Sequence, residues 1–342
     1  MTPIFLTEAN LLHYLLERRF ADLESVVKGE FSVRNRSRRN RNFQAICGER
    51  QYFVKQPGKW EPARRESLDR EAAMYWRCRT EPAFEPLRAL LPEAYGYDPE
   101  NSILTLRYLP GQTSLRESAD RFAPEAARLA GATMGALHHD MRAAAATISF
   151  PRRKPWYLSI GDMPENQRKT APEEGGRLEL MRALRKHAGF ARALEPVREE
   201  WRHETMVHGD WKLDNCLLSA DGSQLQVIDW EFADHGDPFE DIGTMLQSWW
   251  NHWIRQPLEY GIDEIRPALV AFLEGYAEAD GRDPVEMRPR AVRFAAARMA
   301  HTAYEALEEA REMTADAACL LQASLNMLTR PEWAVREIFG AN

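Results

Sequence analysis

The strongest constraint on this chain lies in its middle. In "NCLLSADGSQLQVIDW", residues 215–230, two short apolar runs flank Asp221 and Gly222, the strongest short-range signal for a β-hairpin. Most of what surrounds it reads as helix: apolar residues recur at helical spacing over 123–146, 174–203, 238–256, 263–279, 284–312 and 315–328, with breaks supplied mainly by Pro and Gly. The chain must therefore carry one hairpin inside a helical body.

The front of the chain reads differently. Thr7 can cap a helix whose apolar positions are Leu11, Leu12, Leu15, Leu16, Phe20 and Leu23. "EFSVR", "NFQAI" and "QYFVK" are short and rich in β-branched or aromatic residues, and polar turns separate them, which predicts an antiparallel meander. "EPARRESLDREAAMYWRCR" returns to helix, and "ILTLRYLP", residues 103–110, is a further strand closed by Pro110 and Gly111, a candidate hinge. The expected architecture is α+β and bilobal: a small β-rich lobe over 1–110 and a large, mainly helical lobe over 111–342.

Composition narrows the classes. With 342 residues, 44% of them hydrophobic, the chain can fill a sizeable core. No apolar run is long enough to span a bilayer, and the N-terminus becomes charged before a signal-peptide core could form, so a soluble, cytoplasmic protein is expected, without membrane partners. Cys47, Cys78, Cys216 and Cys319 form no CxxC pair and are expected to be reduced and buried. "RNRSRRNR", residues 34–41, packs five arginines into a chain of net charge −7; one basic loop is too narrow a surface for nucleic acid.

The hairpin is flanked by "HGDWKLDN", residues 208–215, and "VIDWEFADHGDPFED", residues 227–241. Asp210, Asn215 and Asp229 thus stand at its two ends, where the chain can bring them together. Phosphoryl transfer needs this inventory: a carboxylate to orient and deprotonate a hydroxyl, and hard oxygen ligands for magnesium. The spacing from Asp210 to Asn215 equals that of the protein-kinase catalytic loop, with Gly209 in place of arginine.

On these two motifs the chain resembles the aminoglycoside phosphotransferase and choline kinase group of protein-kinase-like enzymes. The resemblance implies Asp210 as catalytic base, Asn215 and Asp229 as Mg²⁺ ligands, His208 as a brace of the loop, and Asp237 and Asp241 as buttresses of the helical lobe. It implies that Lys55 grips the α and β phosphates of ATP (or GTP), paired with Glu71, for which Glu66 competes. "GATMGALHHD" resembles the family's helix ending in a Leu-His pair. Adenine would be read by main-chain groups around Arg107 to Leu109, Ser37 and its neighbouring amides would cradle phosphate, and the arginine run would cover the nucleotide or reach out to an anionic or peptide acceptor. Lys212, where many small-molecule kinases of the family carry histidine, would offset charge on the phosphoryl group in flight. Trp249, Trp250 and Trp253, at helical spacing, read as core. The acceptor stays open: a small molecule of aminoglycoside, amino alcohol or sugar type, a Ser/Thr side chain of a peptide, or none, in a nucleotide-binding regulator.

Overall fold

A computed structural model describes residues 4–37, 40–118, 122–147, 153–160, 174–254 and 261–340. The chain divides into two compact units: Met1–Thr113 with Leu217–Asp221 and Gln226–Ala233, and Ser114–Cys216 with Gly222–Leu225 and Asp234–Asn342. The hairpin lies where the chain passes from one to the other.

The first unit opens with α1 (Glu8–Glu17), capped by Thr7, whose hydroxyl accepts from the Asn10 amide while the Asn10 side chain accepts from the Thr7 amide. The helix stops short of the predicted periodicity. Phe20 lies in the following turn, and Leu23 starts a separate short helix, α2 (Leu23–Val27), where it is exposed. The meander follows as β1 (Phe31–Asn35), β2 (Arg41–Cys47) and β3 (Arg50–Gln56), all antiparallel. α3 (Pro62–Thr80) and α4 (Glu85–Arg88) lead to β4 (Ala94–Asp98) and β5 (Ile103–Arg107), and the five strands order as β1-β2-β3-β5-β4. Leu6, Leu11, Tyr14 and Leu15 pack on one face of this sheet against Phe43, Ala45, Val54 and Ile103.

Beyond the two-residue strand β6 (Thr113–Ser114) the chain is mainly helical. α5 (Pro124–Thr147) is followed by α6 (Gly175–Lys186) and α7 (Ala188–Glu200), split at His187, whose φ of −97° and ψ of 82° leave the helical region; the single helix predicted over 174–203 is thus two. Then come β7 (Thr205–Val207), the hairpin strands β8 (Cys216–Leu218) and β9 (Leu225–Val227), and β10 (Asp234–Gly236), which pairs antiparallel with β7. α8 (Pro238–Ile254), α9 (Ile262–Asp280), α10 (Pro284–Ala306), α11 (Ala315–Thr329) and α12 (Pro331–Phe339) complete the second unit. The hairpin is not the tight two-residue turn that Asp221-Gly222 suggests: strands of three residues leave 219–224 as the loop, with Gly222 at φ +72°.

The helices of the second unit pack on small residues. A Cβ on Gly131 of α5 would stand 2.0 Å from the Phe272 carbonyl oxygen of α9, and one on Gly275 of α9 2.4 Å from the Arg128 carbonyl oxygen. Trp249 and Trp250 are buried and Trp249 meets Phe272 edge-on at 5.4 Å, as core residues do. Three of the cysteines are buried and free as expected, but Cys319 is exposed on α11. Among the described residues no helix is long and apolar enough to cross a membrane.

Candidate active site

In the first unit, strand alternation decides which face each side chain takes. Lys55 pairs across β2 with Asn42, and Val54 with Phe43, so Lys55 points away from the face that α1 covers. There its ammonium lies 2.6 Å from Glu71 Oε2 and also pairs with Asp229 Oδ1. Lys55 and Glu71 are buried, whereas Glu66, the competitor, is exposed. Burial pulls the Lys55 pKa down, but Glu71 and Asp229 outweigh it and raise it. Burial also raises Glu71, with Lys55 opposing and Asp229 adding. One cation faces two carboxylates, and the proton stays on Lys55.

Asp229 adopts φ 70°, ψ 53°, left-handed backbone that a non-glycine residue takes at a cost of order 1 kcal/mol. It precedes a 3₁₀ turn, Trp230–Phe232, whose buried indole donates to the Val227 carbonyl at 2.8 Å. Glu231 in that turn accepts from Ser67, one helical turn before Glu71 on α3. The helix that holds Glu71 therefore also anchors the segment that presents Asp229.

The described part of the arginine run makes its contacts within its own unit. Arg41 stands opposite Gln56 on the α1 face, its guanidinium donating to the Leu6 carbonyl at 3.1 Å and lying 5.4 Å from the Phe5 ring centre. Arg36 donates to Gln44, Arg34 is exposed on β1, and Arg38 and Arg39 lie outside the described residues. The Ser37 hydroxyl is spent on Asn42, whose amide it accepts at 3.1 Å. Arg36, Arg41 and Ser37 therefore close the β1–β2 loop on its own unit. After β5, the Arg107 amide donates to the Glu93 carbonyl and the Tyr108 amide to the Gln51 carbonyl; the Leu109 amide has no partner among the described residues.

In the second unit the loop after β7 carries His208, Gly209 and Asp210. Gly209 sits at φ +79°, which favours glycine, and the main-chain amides of His208 and Gly209 donate to the two oxygens of Asp241 at 2.7 and 2.9 Å. Asp241 is itself buried against His138 Nε2 at 3.2 Å, and His138 Nδ1 meets the Tyr276 hydroxyl at 3.0 Å; this is the histidine of the Leu137-His138 pair. His208 Nδ1 accepts the Asp210 amide at 3.2 Å. Asp237 accepts the amides of Arg202 and Phe239 and pairs with Arg290. The loop backbone is thus fixed by buried groups, and the Asp210 carboxylate is left to partners of its own.

Around the Asp210 carboxylate, Lys212 Nζ lies 2.5 Å from Oδ2 and Asn215 Nδ2 3.3 Å from it; the same Nδ2 donates to the Asp210 carbonyl at 2.9 Å. Oδ1 is held at 2.9 Å by Arg298 Nη2, from α10. No motif marks Arg298. The signal available was a charge at position 298 on the apolar face set by Ala291, Phe294 and Ala295, all buried. His301, one turn on, accepts from Arg298 at Nδ1 and stacks on Tyr157 at 5.1 Å.

Burial first, then the charges of Arg298, Lys212 and Arg177, push the His301 pKa well below its ordinary value of 6.5. A histidine held neutral contributes stability that is present above the unfolded pKa and is lost as pH falls below about 6.5, with a slope of up to ~1.4 kcal/mol per pH unit. Thermal melting from pH 8 to 5 is expected to show a decline below 6.5, and a smaller one in His301→Gln. Equal slopes would show that His301 is not the group responsible.

An α+β architecture with the Lys55–Glu71 pair in one unit and the His-Gly-Asp loop in the other defines the class of protein-kinase-like phosphotransferases. The profile of the phosphotransferase enzyme family (APH) matches residues 30–291. The chain belongs to that family, and so to the kinases. Mouse acyl-CoA dehydrogenase family member 10 is 46% identical over 39 residues, 11% of this chain; the match spans only 4% of that protein's length. Among solved structures, the choline kinase LicA of Streptococcus pneumoniae is 16% identical, covering 90% of this chain and 99% of its own, with a TM-score of 0.56. An ethanolamine kinase of Plasmodium vivax is 14% identical over 97% and 92% of the two chains, TM-score 0.61. The ADP-bound aminoglycoside phosphotransferase APH(2'')-Ib is 16% identical over 94% and 99%, TM-score 0.58. At such identities these structures show the fold.

Proposed function

We propose that this protein is an ATP-dependent kinase, with GTP as the alternative donor, that transfers the γ-phosphoryl group to a hydroxyl of a small molecule. The observation that carries the reading is the setting of Asp210: a carboxylate on a loop fixed by Asp241, with Lys212 on one oxygen and the Asn215 amide within reach. Asp210 takes the acceptor proton, and Lys212 turns to the transferring group, where its charge is needed. Lys55 spends two of its three donors on Glu71 and Asp229 and directs the third to the nucleotide phosphates. The Leu109 amide, without a partner among the described residues, is the donor we assign to the adenine edge.

Magnesium fits the donor set. Asn215 uses its Nδ2 on Asp210 and keeps its amide oxygen, and Asp229 is a carboxylate of the first unit; each is a hard oxygen donor of the kind magnesium takes, one or two at a time, beside phosphate oxygens and water. When bound, the ion neutralises developing charge on the phosphates. Asp229→Asn is expected to weaken nucleotide binding about 10- to 100-fold in magnesium, and much less in EDTA, as titration calorimetry would read. Equal losses in both would remove Asp229 from the metal.

The acceptor is tested by mass spectrometry of the protein with MgATP against two pools: aminoglycosides, amino alcohols and sugars in one, Ser/Thr-containing peptides in the other. Phosphate on a small molecule is the expected result. Arg36 and Arg41, which could have formed a peptide dock, are bound within their own unit. Phosphate on a peptide would replace the small-molecule reading, and nucleotide binding without transfer or hydrolysis would make the protein a regulator.

A further inference from the structure

We propose that Arg298 is the positioning residue of the Asp210 carboxylate, so that α10 sets the geometry of the base while Lys212 is left to serve the phosphoryl group. The inference rests on the kinase reading above.

The two cations on Asp210 differ in kind. Lys212 sits two residues away on the same loop, its side chain 35% exposed, on a flexible stem with an ammonium that can turn to other partners. The Arg298 side chain is 7% exposed and comes from another element. Its guanidinium is engaged on several sides: Nη2 lies 2.9 Å from Asp210 Oδ1 and 3.5 Å from Glu305 Oε2, Nη1 donates to His301 Nδ1, and the group stands 5.9 Å from the Tyr157 ring centre. Burial lowers the Arg298 pKa, but Glu305 and Asp210 outweigh it, so the guanidinium is charged at any working pH. Neutral His301 supplies the acceptor that a second cation there could not.

The consequence follows from the torsion that orients a carboxylate. The Asp χ2 well is broad and roughly two-fold, so an aspartate held at Oδ2 by Lys212 and, at 3.3 Å, by the Asn215 amide would keep only the longer contact when that lysine moves to the phosphate, and would turn. Arg298 fixes Oδ1 and thereby keeps Oδ2 as the oxygen that meets the acceptor hydroxyl. A buried ion pair adds little net stability over a well-packed apolar pair, so stability alone does not explain an arginine among the alanines of α10.

The test uses the full chain with MgATP, with the acceptor that takes phosphate in the pools, or with water as acceptor through ATP hydrolysis. Arg298→Gln is expected to lower kcat about 100-fold while KM for ATP and for the acceptor stays within about threefold, the pattern of a misplaced base. Guanidinium ion should restore at least about one order of magnitude to Arg298→Ala and none to wild type, and Arg298→Lys should lie between wild type and Arg298→Gln. A melting cycle of Asp210→Asn, Arg298→Gln and the double variant should show the double variant losing less than the sum of the singles, and Arg298→Lys serves where Arg298→Gln does not fold. An unchanged kcat with raised acceptor KM, additive melting losses, or no guanidinium rescue would overturn the assignment. A wild type that neither phosphorylates a pool member nor hydrolyses ATP would remove the kinase reading, and this assignment with it, even if the melting cycle showed the pair coupled.

Discussion

Asp210→Asn is expected to leave nucleotide affinity within a few-fold of wild type while transfer falls by three orders of magnitude or more. The substitution is nearly isosteric. The loop that carries it is held through the amides of His208 and Gly209 and the Asp210 carbonyl, none of which the change touches. Removal of the base alone costs about 10²–10⁴-fold. An amide also offers no negative charge to Lys212, whose pKa burial lowers and Asp210 raises, so the lysine loses its orienting partner as well. Arg298 keeps an acceptor in the Asn oxygen, which limits the loss of stability to roughly 1–3 kcal/mol rather than the larger cost of an unpaired buried charge. Calorimetric titration with ADP and a phosphate-transfer assay check the two halves separately. Equal turnover by Asp210→Asn and wild type would remove Asp210 as the base.

The legibility of this site followed the kind of signal each residue carries. The three strands of the meander are short runs rich in β-branched or aromatic residues between polar turns, so their presence and order were readable; their register, and with it the face of Lys55, comes from the pairing of Asn42 with Lys55 and Phe43 with Val54. Strand β4 was missed because "AYGYD" shows no clean alternation and carries a bulge between Ala94 and Gly96. The tight turn expected at Asp221-Gly222 opened into a longer loop, since local turn chemistry does not fix where strand pairing starts. Asp210 and Asn215 announce themselves because one short stretch of chain carries both at a recognisable spacing. Arg298, 88 residues beyond Asp210, does not: only the packing of α10 brings it there, and a lone arginine in an alanine-rich helix has no spacing to match.

The second large effect concerns packing. Gly131→Ala is expected to destabilise the second unit by more than 3 kcal/mol, although alanine is the better helix former by about 1 kcal/mol. The new methyl would meet the Phe272 carbonyl oxygen at 2.0 Å and the Tyr276 amide nitrogen at 2.9 Å. Both are backbone atoms of α9, so no rotamer change relieves the clash, and the two helices must separate along their contact. Their separation would also disturb Tyr276, whose hydroxyl holds His138 and through it Asp241 and the Asp210 loop. Activity should therefore fall with stability rather than survive it. Gly281→Ala, at the C-cap of α9, is the control: at φ +76° with nothing within 4 Å of a Cβ, it meets only the left-handed penalty of about 1–2 kcal/mol. Thermal melting of both variants decides the matter, because at about 2–4 °C per kcal/mol the first should lose roughly 10 °C and the second only a few. Equal losses would mean that the α5–α9 contact tolerates a methyl group and that the small residues there are not what sets the helix spacing.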